Sequence, residues 1–137
     1  MRHSSEACCL DVDWLDDSTF ASGGSDRVIH IVSLSGTKPI CTLRLVVIQW
    51  WLSTHPHRSW HRGHTGELTM IKCNPSRTRL ASCSDDATAR IWNLEHVADK
   101  ASVPVVLMGH TRCLTSVKWC PATVPGAHEL VATYVSE

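Results

Sequence analysis

His64, Ser82 and Asp86 are the residue types of a hydrolase triad: a hydroxyl nucleophile, an imidazole to take its proton and a carboxylate to hold the imidazole. A triad is defined by geometry rather than by type, and no Gly-x-Ser-x-Gly elbow or oxyanion motif accompanies these residues. A second candidate chemistry is zinc binding by His55, His57, His61 and His64, whose spacing is short enough to gather imidazoles around one ion. Residues 45–62 add no cysteine or carboxylate to such a set, so we expect neither a metal nor a cofactor. The seven cysteines contain no Cys-x-x-Cys pair and read as reduced thiols of a cytosolic or nuclear protein; Cys73 and Cys83 read as small buried hydrophobes.

The elements that must position these side chains belong to one small globular unit at most. Of 137 residues, 43% are hydrophobic and 19% charged, with 13 basic groups balancing 13 acidic ones. Balanced charge removes the electrostatic footprint of a direct nucleic-acid or anionic-membrane binder. The longest apolar run, Leu45 to Leu52, is shorter than the roughly 18 residues that argue for a membrane span, and the start from Met1 lacks the apolar stretch of a secretory signal.

The chain repeats itself. Phe20-Ala21-Ser22-Gly23-Gly24-Ser25-Asp26 aligns with Leu80-Ala81-Ser82-Cys83-Ser84-Asp85-Asp86, and Val28 to Leu34 with Thr88 to Leu94, at a constant offset of 60. Upstream, Leu10-Asp11-Val12-Asp13-Trp14 matches Thr69-Met70-Ile71-Lys72-Cys73, and both match Thr115-Ser116-Val117-Lys118-Trp119. The stretch Glu129 to Glu137 begins the same pattern a third time. Alternating apolar and polar residues, an Asn74-Pro75-Ser76 turn and a tight Asp85-Asp86 turn predict short antiparallel strands throughout. Trp14 and Trp119, with Cys73 in the same slot, read as inner-strand core positions.

Gly63-His64 and Gly109-His110 precede two of the units, and Trp92-Asn93 closes the unit between them. This resembles the Gly-His to Trp-Asp signature of the WD40 repeat, one blade of a β-propeller. The resemblance implies an all-β fold of two four-stranded antiparallel blades and part of a third: a degenerate blade over 5–44, a blade with complete signature over 63–107 and a truncated blade over 108–137. It also implies a structural hydrogen-bonded tetrad of His64, Ser82, Asp86 and Trp92. Ser82 is preferred to Ser84 on strand alternation and the family pattern. The first unit has Asp26 but Val32 in the slot of Trp92, and is expected to be the less rigid.

Residues 45–62 interrupt the repeat and hold three of the six tryptophans. Removing these 18 residues brings the offset to 42, an ordinary blade. A surface loop would account for them; 18 codons also keep the reading frame, as a short retained intron would, and we favour the intron.

The motifs from Leu10 to Trp14, Lys38-Pro39-Ile40, Gly63-His64-Thr65, Leu80 to Thr88 and Val117-Lys118-Trp119-Cys120-Pro121 are similar to central blades of the transducin β-like family. Departures are a Gly23-Gly24-Ser25 turn, Asn93 for the usual Asp, and Tyr134-Val135-Ser136-Glu137 where an Asp-containing turn would stand. The resemblance implies a non-enzymatic scaffold in a nuclear corepressor complex, with corepressor and class I histone deacetylase subunits as partners. A ubiquitin-ligase substrate adaptor or a G-protein-β-like signalling scaffold is the alternative, and the cytoplasm the alternative compartment. The sequence singles out no partner-contacting residue. With fewer than three blades, the chain is expected to be marginally stable or to self-associate through exposed strand edges.

Overall fold

The computed structural model describes residues 6–36, 38–43, 63–95, 103–121, 123 and 130–135. The insertion at 45–62, with His55, His57 and His61, lies outside them. Among the described residues, ten strands form three sheets. The first is a meander of β1 (Cys9–Trp14), β2 (Thr19–Gly24), β3 (Ile29–Ser33) and β4 (Pro39–Leu43). The middle sheet repeats that order with β5 (Leu68–Cys73), β6 (Arg79–Ser84), β7 (Ala89–Asn93) and β8 (Val105–Leu107). The third pairs β9 (Leu114–Trp119) with β10 (Val131–Val135). Neighbouring strands are antiparallel in every sheet.

The internal repeat is preserved in register. Trp14 faces Phe20, Cys73 faces Leu80, and Trp119 faces Val131, so the three inner strands β1, β5 and β9 hold equivalent slots. The middle inner strand, β5, turns one side toward the first sheet and the other toward the third, because successive side chains of a strand alternate. The core therefore lies in two seams between sheets. The first buries Ala21, Ile29, Ile31, Leu68, Ile71, Leu80 and Trp92; the second buries Ala81, Cys83, Ala89, Leu114 and Val117. The middle sheet is covered on both faces.

Two sequence expectations are corrected here. Trp14 is 51% exposed rather than a core residue, because the side of β1 it shares with Leu10 and Val12 faces away from β5. Trp119, in the same slot, packs on the second seam. Gly23 and Gly24 are the last residues of β2 rather than a turn, and the chain reverses at Ser25-Asp26-Arg27, with Arg27 N–H donating to Gly24 O. A Cβ on Gly23 would sit 3.3 Å from an Ile71 methyl, so the missing side chain lets the first seam close.

Polar side chains fasten the first seam. Asp11 accepts the Ile71 amide and the Lys72 ammonium on one carboxylate oxygen, each at 3.0 Å, and the Val12 amide on the other at 2.9 Å. Asp13 likewise takes Cys73 N–H at 2.6 Å and Trp14 N–H at 3.2 Å. Arg27 donates to Thr65 O and Arg77 to Trp14 O across the same boundary.

Candidate functional site

The Asp86 carboxylate sits in the β6–β7 turn, where Ala87 N–H closes on Ser84 O and Ala87 takes a positive φ of 63°. The loop before β5 passes directly beneath. A Cβ on Gly66 would lie 2.6 Å from Asp86 N, so only glycine allows that approach. His64, two residues earlier, is thereby brought under the turn.

The structure brings all four tetrad candidates together. His64 Nδ1 lies 3.0 Å from Asp86 Oδ2, His64 Nε2 lies 2.8 Å from Ser82 Oγ, and Trp92 Nε1 donates to Ser82 Oγ at 2.9 Å. Asp86 also accepts the amides of Thr65 and Thr88 at 2.9 and 3.0 Å and the Thr88 hydroxyl at 2.6 Å. The roles follow from donor supply. An ionised carboxylate only accepts, so Nδ1 carries the proton; neutral Nε2 then accepts the Ser82 O–H, whose oxygen takes the indole N–H. Ser84, the other sequence candidate, bonds the Asp86 amide instead.

Burial governs the electrostatics. His64 is 1% exposed, and loss of water holds its pKa below 6.5 despite the favourable Asp86 carboxylate. Burial works against the Asp86 charge too, but hydrogen bonds from His64 and Thr88 outweigh it and hold the carboxyl well below 3.8. The pair is therefore a neutral imidazole on a carboxylate. A hydroxyl that accepts an indole N–H and donates to a buried imidazole is poorly placed to attack a substrate. Three thiols are the opposite of activated: burial, and secondarily Asp13, push Cys73 up to about 11, and burial raises Cys41 and Cys83.

The other sheets carry parts of the same arrangement. In the third, His110 Nε2 lies 2.8 Å from Thr133 Oγ1, and Thr133 opposes Val117 as Ser82 opposes Ile71. Sequence reasoning noted His110 but missed Thr133; the likeness of Val131-Ala132-Thr133 to Leu80-Ala81-Ser82 was the available signal. In the first sheet, Ser22 occupies the Ser82 slot opposite Val12, and its hydroxyl lies 3.2 Å from the Cys9 thiol. Asp26 accepts Val28 N–H at 3.3 Å, as Asp86 does Thr88 N–H. Val32 stands opposite Phe20 where Trp92 stands opposite Leu80. Away from these networks, the ends of the inner strands line an open cleft of about 480 Å³ that includes Trp14, Arg77, Lys118 and Trp119.

Antiparallel four-stranded sheets stacked face to face, with a His-Ser-Asp-Trp chain inside one of them, define part of a WD40 β-propeller. Residues 54–93 match the family described as "WD domain, G-beta repeat", so this stretch of the chain carries a WD40 repeat. It is 35% identical over 86 residues, 63% of its length, to the WD40 repeat-containing protein HOS15 of Arabidopsis thaliana, of which it covers 11%. It is 26% identical over 110 residues to the SIR4-interacting protein SIF2 of Saccharomyces cerevisiae, across 80% of this chain and 16% of that protein. To the mouse Denticleless protein homolog it is 32% identical over 129 residues, covering 85% of this chain and 14% of that one. The crystal structure of the C-terminal WD40 domain of Sif2 superposes with a TM-score of 0.58 at 25% identity, over 80% of this chain and 25% of that one. The chain thus spans less than a fifth of the length of these curated relatives.

Proposed function

We propose that this chain is a non-enzymatic protein-interaction scaffold, and that it serves as a subunit of a nuclear corepressor complex containing a class I histone deacetylase. The observation that carries the scaffold reading is the consumption of His64, Ser82 and Asp86 by one buried network. What a rigid β framework then offers a partner is its turns, its faces and the cleft between the inner-strand ends. In this reading the blades occupy 5–44, 63–107 and 108–137, with 45–62 as an insertion. Support for a protein partner comes from SIF2, which is named for its interaction with another protein. The corepressor context rests on the resemblance of the Leu10–Trp14, Leu80–Thr88 and Val117–Pro121 motifs to the transducin β-like family.

The test is purification of the tagged full chain from nuclear extract, with deacetylase activity and subunit composition measured in the eluate. Class I deacetylase activity and corepressor subunits are expected. Cullin-type ligase components in their place would replace this reading with that of a ubiquitin-ligase substrate adaptor. Hydrolytic activity of the purified chain that disappears in His64→Ala would overturn the non-enzymatic assignment.

A further inference from the structure

Residues 63–67, just before β5, are held from two sheets at once. Thr65 N–H donates to Asp86 Oδ2 at 2.9 Å, and the Thr65 carbonyl accepts Arg27 Nη1 at 3.1 Å. Arg27 belongs to the β2–β3 turn of the first sheet, Asp86 to the β6–β7 turn of the middle one. The two peptides that flank the Thr65 Cα are therefore pinned to different sheets, which fixes the backbone between His64 and Gly66. Little slack remains on the far side: Asp85 N–H donates to Glu67 O at 3.0 Å, and a Cβ on Gly66 would lie 2.6 Å from Asp86 N. His64, next to Thr65, sits at the end of this doubly held segment.

The turn itself does not call for an arginine. Arg27 takes a φ of 65°, in the left-handed region that disfavours any residue with a Cβ. Ala87 holds the same slot of the repeat at a φ of 63°, so the turn closes equally well on a side chain too short to cross a seam. Arg77, with a φ of 60°, also crosses the first seam, but at its other end, to Trp14 O, away from the His64 network. We propose that Arg27 is a positioning residue for the middle sheet: by holding the Thr65 carbonyl, the first sheet keeps His64 seated beneath Asp86, and release of this one contact loosens the imidazole in the neighbouring sheet. The hold passes through the loop backbone and is separate from the apolar packing of the seam.

Hydrogen exchange of the full chain, read residue by residue by nuclear magnetic resonance, tests this. In Arg27→Ala the Thr65 and Asp85 amides and the His64 Nδ1 proton should exchange roughly fivefold faster, the effect of one lost hydrogen bond, while the amides of β6 and β7 keep their wild-type rates. Arg77→Ala removes the other arginine of the same seam and should leave all three protons unchanged, which a general weakening of the seam would not. Arg27→Lys, which keeps a charged donor on a long side chain, should recover most of the slow exchange. Unchanged rates at Thr65, Asp85 and His64 in Arg27→Ala, an equal rise throughout β6 and β7, the same rise in Arg77→Ala, or no recovery in Arg27→Lys would each overturn the proposal.

Discussion

The first and middle sheets share a strand order, a register and a turn, yet equivalent residues live in different surroundings. Ile71 is completely buried at the first seam, whereas Val12, in the same slot of β1, is half exposed. Ser82 joins an imidazole to an indole; Ser22 in the same slot lies against a thiol. In a stacked array the worth of a residue is set by the sheet beside it as much as by its own position, because each repeat buries its apolar faces only against a neighbour.

The sharpest way to break this comparison is to shorten its two aliphatic side chains. Ile71→Ala should cost about 2–5 kcal/mol in urea unfolding, the range for a large buried aliphatic side chain. Val12→Ala should stay within about 0.5 kcal/mol, as for exposed positions. Equal losses would mean that the face of β1 is covered in the unfolding experiment. The serines come next. Ser82→Ala leaves the His64 nitrogen and the Trp92 N–H without their shared hydroxyl and should cost about 1–3 kcal/mol; Ser22→Ala should cost less than about 1 kcal/mol.

The smallest effect is that of pH, and it should belong to the middle sheet. His64 binds its proton less readily in the fold than at the ordinary value of 6.5, so below that pH the unfolded chain takes up a proton that the folded one refuses. Stability is therefore full above about pH 6.5 and declines as the medium is acidified, at no more than about 1.4 kcal/mol per pH unit for one proton. Asp86 has the same sign lower down: its contribution is complete above pH 3.8 and is lost as pH falls toward its depressed folded value. Urea midpoints measured from pH 8 to pH 5 should fall for the wild type and flatten in His64→Gln.

Much of the fold was legible because the repeat carries its own register. The alignment of Ser22 with Ser82 and of Asp26 with Asp86 placed strands and turns together, and Gly-His before the middle unit marked the imidazole that the turn requires. The misses have physical causes. Trp14 was assigned to the core from its slot, but burial of that slot depends on a preceding sheet that local sequence does not report. The Gly23-Gly24 pair has the composition of a turn, while its backbone completes a strand that must lie close to Leu68 and Ile71. Thr133 escaped because its unit presents no aligned Asp-Trp pair to anchor it. The cross-seam roles of Asp11 and Asp13 could not be read at all, since they require β1 and β5 to run side by side.

Those two carboxylates act as an index mark. Asp11 reaches residue 71 and Asp13 reaches residue 73, so the step along one strand equals the step along the other. Sliding β5 by one residue would set Lys72 and Asn74 under the carboxylates and turn Ile71 out of the seam, because every side chain on a strand changes face with a single-residue slip. Two sheets that share no backbone pairing among the described residues are nevertheless held to one setting, by acids whose two oxygens each answer to a different strand.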